Sequence, residues 1–180
     1  MKHLLQTLPV LPLALILALT ACGESAADIT HLQTYSQHRI TFSYPGNWKI
    51  SEDSVTSGVR QIYFDTPGDA MIVLQFQPDD QMSPLQKLVQ IYSDAFAEST
   101  GTMLQITSGQ RTPVKESPNH QSMTETFTVT VLGTGVPHTR HYHRISMNTR
   151  ACFTILQVAD EDLTKVTPGY EKIVTSLQLK

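Results

Sequence analysis

The sequence predicts an α+β domain built on an antiparallel sheet. Between residues 39 and 158, short runs of alternating apolar and polar residues are separated by turn signals such as Pro67-Gly68-Asp69, a pattern typical of strands joined in hairpins. Two other segments, 83–101 and 161–176, carry apolar residues at helical spacing. Hairpin-linked strands combined with amphipathic helices indicate the α+β class.

Alternation of apolar side chains locates the strands. In the first run, Ile40, Phe42 and Tyr44 occupy one face of a strand. The segment 132–136 (LGTGV) is predicted to form the turn of a hairpin. The predicted strands lie in 39–50, where Pro45-Gly46-Asn47 is a turn signal before Trp48, and at 59–66, 70–77, 103–115, 122–132, 137–148 and 151–158.

Start and stop signals bound the two predicted helices. Ser83 is a favourable N-cap for the first helix, Pro84 suits its first helical position, and Gly101 suits its end. The second helix is predicted over residues 161–176 and restarts at Pro168.

The N-terminal segment has the features of a targeting sequence. After a short basic start, residues 4–19 carry no charge and form too short a run for a membrane-spanning helix of about 20 apolar residues. Leu19-Thr20-Ala21-Cys22 follows and resembles a bacterial lipobox. The resemblance implies that the Cys22 thiol receives a diacylglyceryl group and that residues 1–21 are removed as a lipoprotein signal peptide. The alternative is an ordinary secretory signal, with Cys22 a plain thiol.

The same resemblance implies a location and a first partner. Position 23 is Gly and not Asp, which by the rule for lipoproteins implies passage to the outer membrane of a two-membrane bacterium, facing the periplasm. Acyl chains on Cys22 make the membrane a partner through the N-terminal lipid. Residues 22–37 are small and polar and are predicted to be the lipidated N-terminus and a flexible tether, followed by the folded domain over 38–180.

Charge and cysteine content exclude some classes of protein. The chain has 13 basic and 16 acidic residues, so loss of Lys2 with the signal peptide leaves 12 against 16, a formal charge of −4 for the mature chain. This acidic balance argues against nucleic acid as a partner. With Cys22 acylated, Cys152 has no second cysteine to pair with, and its apolar surroundings predict a buried, inert thiol.

Two stretches resemble PsbP-like domains, named after the lumenal extrinsic subunit of photosystem II. ITFSYPGNWKI (40–50) is similar to the opening of those domains, and EKIVTSLQL (171–179) is similar to their terminal helix and closing xSLxL end. Together with the order of strands and helices, the resemblance covers residues 38–180. It implies an α/β/α sandwich around a mainly antiparallel sheet. It also implies a binding or assembly role and not catalysis, although fold alone does not give function.

The stretch HTRHYH (138–143) contains the candidate metal ligands. Side chains alternate along a strand, so His141 and His143 are expected on one face, at a spacing that lets both imidazoles reach one zinc or copper ion. The alternative is that these histidines are solvated near a sheet edge or lie at the solvated rim of the core face. The candidates for a third ligand are His120, Glu125 and His38.

The opposite face of the same strand is the candidate protein interface. Its side chains give a mixed aromatic and cationic surface, and arginine and tyrosine are enriched in protein interfaces. The alternative is a solvated strand face whose charges are balanced by nearby acids. The residues of this candidate interface are His138, Arg140, Tyr142 and Arg144.

No catalytic residue is predicted, because the sequence contains no Gly-x-Ser-x-Gly elbow, no His-Glu-x-x-His motif and no phosphate-binding glycine-rich loop. We therefore expect a non-enzymatic, lipid-anchored envelope factor that binds or assembles an unidentified envelope protein through protein–protein contacts. The alternative is a small-ligand or metal-binding lipoprotein that uses His141 and His143 to hold Zn or Cu. No other cofactor is expected, and a hydrolase is the least favoured interpretation.

Overall fold

The computed structural model describes residues 25–68, 70–99 and 104–180. The predicted signal peptide and Cys22 lie outside the described residues. The strands are β1 (Leu32–Gln37), β2 (Ile40–Pro45), β3 (Lys49–Thr56), β4 (Val59–Asp65), β5 (Met71–Pro78), β6 (Gln105–Arg111), β7 (Lys115–Ser117), β8 (His120–Val131), β9 (Thr134–Met147), β10 (Arg150–Ala159) and β11 (Gln178–Leu179). The helices are α1 (Leu85–Ser99) and α2 (Leu163–Ser176).

Strand pairing gives two antiparallel sheets. The large sheet has the order β3-β4-β5-β10-β9-β8-β6, with β7 paired to β8, and the small sheet has the order β1-β2-β11. Every pairing in both sheets is antiparallel. The prediction of an α+β domain on an antiparallel sheet is therefore confirmed.

The central strand β10 is buried on both sides, and its two sets of side chains show where the helices lie. Cys152 and Leu156 pack with α2 and the small sheet, whereas Phe153 and Ile155 pack with α1. We call these two sides of the large sheet the α2 face and the α1 face. One helix on each face makes the α/β/α sandwich that the resemblance implied. Burial raises the pKa of the Cys152 thiol well above its usual value, in agreement with the predicted inert cysteine.

The predicted tether is wrong for residues 32–37, which form β1. This strand pairs with β2, and Tyr35 stacks on Phe42 with ring centroids 4.9 Å apart. Tyr35 is the one buried residue of β1. A strand with a single buried side chain lacks the alternation by which strands are found in a sequence.

The hairpin of β8 and β9 ends in a tight two-residue turn. Leu132 and Gly133 both have positive φ, 49° and 84°, and Val131 pairs directly with Thr134. The prediction of a turn over residues 132–136 is therefore wrong, because β9 begins at Thr134. Positive φ at both turn positions fits the twist of the strands, but Asn-Gly is the usual sequence there and a leucine is unusual.

The two ends of the large sheet carry different features. At the end that we call proximal, the Ala27 N–H donates to the Lys165 carbonyl at 2.9 Å, and Asn47 in the β2–β3 turn donates to the Ala26 carbonyl at 2.9 Å. At the opposite end, which we call distal, lie the β3–β4 and β9–β10 turns. None of the helices in the described part of the chain has the length and apolar character needed to cross a membrane.

Candidate functional site

The register of β8 against β9 decides which side chains share a face. His141 and His143 both lie on the α2 face, where Thr124 and Ser122 stand directly opposite them on β8. The prediction that these two histidines point the same way is confirmed. His120, at the start of β8, is the diagonal neighbour of His143 on that face.

His120 and His143 are in direct contact. The Nε2 atom of His120 lies 2.7 Å from Nδ1 of His143, so one imidazole donates a hydrogen bond to the other. The two rings stack with centroids 4.9 Å apart, and Tyr170 of α2 lies 5.5 Å from the His143 ring. Of the three candidates for a third ligand, His120 is the one that the fold brings to His143.

The other two candidates for a third ligand, Glu125 and His38, are wrong, because neither lies near His141 and His143. Glu125 lies on the α1 face, where it pairs with Arg140 in the strand register and accepts a hydrogen bond from it. His38 is exposed in the β1–β2 turn, and its carbonyl accepts a hydrogen bond from Arg150. Neither residue lines the space that the three histidines share.

The three histidines line a cavity of about 280 Å³ between the sheet and α2. Two buried polar atoms of this lining, His141 Nε2 and Thr167 Oγ1, have no hydrogen-bond partner. Because buried polar atoms in proteins nearly always have a partner, the cavity offers two hydrogen-bonding groups to an occupant. The wall from α2 consists of Thr167, Tyr170, Glu171, Val174 and Thr175.

All three imidazoles are neutral near pH 7. The pKa of His143 is lowered to about 3, mainly by burial and to a smaller extent by the neighbouring His120 and His141. Burial also lowers the pKa of His120 and that of His141, although the Glu171 carboxylate acts in the opposite direction on His141. Neutral imidazole is the form that binds metal ions. Within the described residues, however, no group of three His, Cys, Asp or Glu side chains is arranged to hold a metal ion.

The predicted interface residues lie on the α1 face, and α1 contacts Arg140 and Tyr142. Tyr142 is fully buried and Arg140 is 2% exposed, so the prediction of an exposed aromatic and cationic surface is wrong for both. His138 is half-buried and stacks on an aromatic ring of β8. Arg144 donates to the Asp79 carboxylate at 2.8 Å. All four side chains therefore make contacts within the chain.

A buried network of charges takes the place of the predicted surface. Its centre is the Glu125 carboxylate, for which burial alone raises the pKa, but donated hydrogen bonds outweigh burial and hold the pKa below its usual value. Glu125 is therefore charged at neutral pH. The groups that donate to it are Tyr142 at 2.7 Å, Arg111 at 2.7 Å, Ser93 at 2.8 Å and Arg140 at 3.1 Å.

Aromatic rings enclose the other charge of this network, Arg140. Its guanidinium carbon lies 4.0 Å from the ring centroid of Phe127 and 4.3 Å from that of Phe96. Cation–π contacts of this kind hold α1 against the sheet. This network was not predicted, although the sequence contains a signal for it: Glu125 has the same strand parity as Phe127, and an acid on a buried face requires a partner.

A second concave feature is a cleft at the distal end, which we call the distal cleft. It has a volume of about 710 Å³ and combines apolar, cationic and anionic side chains. Segments far apart in sequence form it, so no local motif pointed to it. Its lining includes Val55, Arg60, Phe76, Pro78, Asp79, Asp80, Asn148, Thr149 and Arg150.

Comparison with solved structures identifies the fold. The solution structure of cyanobacterial PsbP (CyanoP) from Synechocystis sp. PCC 6803 is 14% identical, with 90% of this chain and 99% of that chain covered and a TM-score of 0.57. The Ran-binding protein Mog1p of Saccharomyces cerevisiae is 9% identical, with coverages of 83% and 95% and a TM-score of 0.49. LpqN of Mycobacterium tuberculosis, described as involved in cell envelope biogenesis, is 12% identical, with coverages of 83% and 91% and a TM-score of 0.43.

The chain therefore has the PsbP-like fold, a mainly antiparallel sheet with one helix on each face. This likeness, at low identity, shows the fold alone. No protein-family model matches the sequence, and no curated protein matches it.

Proposed function

We propose that this protein is a lipid-anchored envelope factor that binds or assembles another envelope protein through protein–protein contacts, without catalysis. The lipobox-like sequence Leu19-Thr20-Ala21-Cys22 supports the anchor, and Gly23 supports an outer-membrane location facing the periplasm. The observation that carries the binding role is the distal cleft, at the end of the sheet opposite the attachment of the N-terminal chain. The PsbP-like fold is compatible with this role.

The distal cleft has the mixed chemistry of a protein-binding surface. Val55 supplies an aliphatic side chain that is 59% exposed, and Arg60 and Arg150 supply cationic groups beside it. Protein interfaces combine apolar contacts with a polar rim and are enriched in arginine. Val55 also belongs to β3, an edge strand of the large sheet, and edge strands pair with extended segments of partner proteins.

The position of the cleft suits a protein held to a membrane. The central strand β10 has 10 residues, which corresponds to about 33 Å between the proximal and distal ends. An anchor that precedes Ala27 places the proximal end towards the bilayer. The distal cleft is then directed into the periplasm, where a partner protein can reach it.

Site-specific photo-crosslinking tests this function. A photoactivatable amino acid replaces Val55 in the full-length lipidated protein in intact cells, and Ile91 on α1 is the matched control. Both positions are exposed aliphatic residues, 59% and 55%. We expect one dominant envelope protein captured from position 55 and not from position 91. The same scattered products at both positions would contradict the proposal.

A second candidate function is the binding of zinc or copper by His141 and His143. The observation that favours it is the convergence of these two side chains and His120, all neutral, on one cavity. When two imidazoles bind one tetrahedral zinc, their ligating nitrogen atoms lie about 3.3 Å apart, given Zn–N bonds of about 2.0–2.1 Å. An ion therefore has to replace the hydrogen bond of 2.7 Å between His120 and His143.

Calorimetric titration of the full chain with Zn²⁺ and with Cu²⁺ tests the second candidate. One ion per chain is expected, with binding lost in His141→Gln and in His143→Gln. His38→Gln is the matched control, because His38 is exposed in a turn away from the cavity. Equal binding by all three variants, or no binding by the unmodified chain, would remove this candidate.

A further inference from the structure

We infer that the tip of the β8–β9 hairpin, residues 131–133, enters the bilayer beside the lipid anchor. The inference rests on the anchor of the proposed function and adds a second membrane contact to it. Three observations lead to it: the direction in which the hairpin projects, its uncharged sequence, and a leucine in a backbone conformation that disfavours it.

The hairpin projects from the proximal end of the large sheet. β10 ends at Ala159, opposite His138 of β9, but the hairpin continues beyond that pair to Leu132. At about 3.3 Å per residue, the stretch from His138 to Leu132 extends about 20 Å past the end of β10. On the other side, β6 accompanies β8 as far as the pair Gln105 and Thr130, so none of the described strands pairs with β8 or β9 at the tip other than each with the other.

The N-terminal chain leaves the domain at this same end. Ala27 is held there by its hydrogen bond of 2.9 Å to Lys165, just after the end of β10. Cys22 precedes Ala27 by five residues, and a chain spans at most about 3.6 Å per residue, so the acylated residue lies within about 18 Å of Ala27. The greatest distance from Ala27 to the anchor, about 18 Å, is thus similar to the length of about 20 Å by which the hairpin extends past β10. The anchor and the hairpin tip can therefore contact the same bilayer surface.

The projecting part of the β8–β9 hairpin has a composition that is compatible with insertion into a bilayer. Residues 126–137 (TFTVTVLGTGVP) contain no charged side chain. Leu132 is completely exposed, and Val131 is 43% exposed. The backbones of β8 and β9 are paired up to Val131 and Thr134, so insertion of the tip leaves few unpaired peptide groups in lipid.

The residue at the tip is not explained by folding. Leu132 has φ of 49°, a conformation that Asn and Gly adopt more readily, and its exposed side chain packs against no part of the core. Backbone conformations of this kind are found mostly at functional positions, and Leu132 with Val131 presents an apolar tip to a contact outside the chain. A lipid surface fits that contact, because the anchor holds this end of the molecule against the membrane.

Fluorescence on the acylated full-length protein tests the inference. The protein is reconstituted in vesicles of phosphatidylethanolamine and phosphatidylglycerol, with an environment-sensitive dye on Thr134→Cys or, as the matched control, on Thr56→Cys. Both threonines are exposed beside hairpin turns, but Thr56 lies at the distal end, and Cys152 is fully buried and so protected from the dye. We expect a shift to shorter wavelength and quenching by a lipid-borne quencher at position 134 only.

A third variant separates membrane contact from folding. Leu132→Asn in the Thr134→Cys background is expected to lose most of the shift, while the domain unfolds at the same or a higher urea concentration, because Asn-Gly suits this turn. Vesicle flotation with water-like emission at both positions would overturn the inference and leave the anchor intact. If the protein does not float with the vesicles, both the inference about the hairpin tip and the proposed lipid anchor would be overturned. A shift seen only in native membranes, and not in vesicles, would assign the tip to a protein partner.

Discussion

Arg140 Nη1 donates a hydrogen bond of 3.1 Å to Glu125 Oε2 between two side chains that are 2% and 7% exposed. The two residues stand opposite one another in the β8–β9 register and face α1. The helix has two fully buried apolar residues, Leu85 and Val89, but it also gives the hydroxyl of Ser93 to the carboxylate. The charged pair therefore helps to hold α1 on the sheet, in addition to apolar packing.

Removal of the Glu125 carboxylate alone should destabilise the domain more than removal of both Glu125 and Arg140. Glu125→Leu is expected to lower the free energy of unfolding by about 3–5 kcal/mol, because it leaves the charge of Arg140 buried without its acid. The double variant Glu125→Leu/Arg140→Met should lose less, since no uncompensated charge is left. Urea unfolding measures all three proteins. Arg111→Met is the control, with a loss of about 1 kcal/mol or less, because the Arg111 side chain is 35% exposed. A double variant that loses as much stability as Glu125→Leu alone, or more, would contradict this account.

Acidification should destabilise the domain through the histidine cavity. An unfolded His143 has a pKa of about 6.5, whereas burial lowers the folded pKa to about 3, so between these values the unfolded chain binds a proton that the folded chain does not. The stability that the neutral ring contributes is complete above about pH 6.5 and is lost as the pH falls towards 3. Between pH 7 and pH 5 the loss from this residue is about 2 kcal/mol.

The pH effect is measured by urea unfolding of His143→Asn at both pH values. This variant should lose about 2 kcal/mol less than the unmodified protein on acidification, although it starts from a lower stability. His38→Asn, which changes an exposed histidine, should keep the full pH dependence. Burial also lowers the pKa of His120 and that of His141, so both histidines add to the pH dependence in the same direction. If His143→Asn and His38→Asn lose the same stability on acidification, the buried imidazole of His143 is not the source of the pH dependence.

One local turn explains why the fold could be predicted better than the site. Alternation correctly placed His141 and His143 on one face, because the period of a strand is independent of its neighbours. The partner of each residue depends on register. A turn over 132–136 would pair residue 131 with 137 and therefore Glu125 with His143, on the face that carries the candidate metal ligands. The two-residue turn shifts the register by an odd number, so Glu125 pairs with Arg140 on the opposite face.

The remaining differences between sequence and structure arise from packing between distant elements. Nothing in the sequence near Arg140 or Tyr142 shows that α1, more than 40 residues earlier in the chain, covers them. Likewise, β1 is held by pairing with β2 and by one aromatic stack of Tyr35, and its own sequence has no strand pattern. Strand periodicity predicts which residues face together, but only tertiary packing decides which face is buried.

The proposed lipidation is tested by a change at Cys22, the predicted first residue of the mature chain. Cys22→Ser should abolish incorporation of labelled fatty acid and release the protein into the soluble periplasmic fraction, because the acyl chains supply the membrane affinity. Cys152→Ser should keep the label, since Cys152 is buried in the core. Gly23→Asp should keep the label but move the protein from the outer to the inner membrane. Unchanged membrane retention of Cys22→Ser would show that the protein has no acyl anchor at this position.

The contact between α2 and the β2–β3 turn should be sensitive to a single methyl group. A Cβ at Gly169 would lie 2.5 Å from Trp48 Cζ2 and 2.6 Å from Pro45 Cγ, and both obstacles belong to rings that cannot rotate away. Alanine is favoured over glycine within a helix by about 1 kcal/mol, yet Gly169→Ala should lower the free energy of unfolding by about 1–3 kcal/mol, because overpacking outweighs helix propensity.

A double-mutant cycle shows whether Trp48 is the cause. In a Trp48→Leu background, itself less stable because a buried ring is lost, Gly169→Ala should cost clearly less than in the unmodified protein, since the smaller side chain leaves room for the methyl group. Thr164→Ala, at an exposed position of the same helix, should change stability by less than about 0.5 kcal/mol. Urea unfolding provides the values. If Gly169→Ala is as stable as the unmodified protein, the helix does not approach Trp48 as closely as described, and the α2 face of the core is packed differently around its single tryptophan.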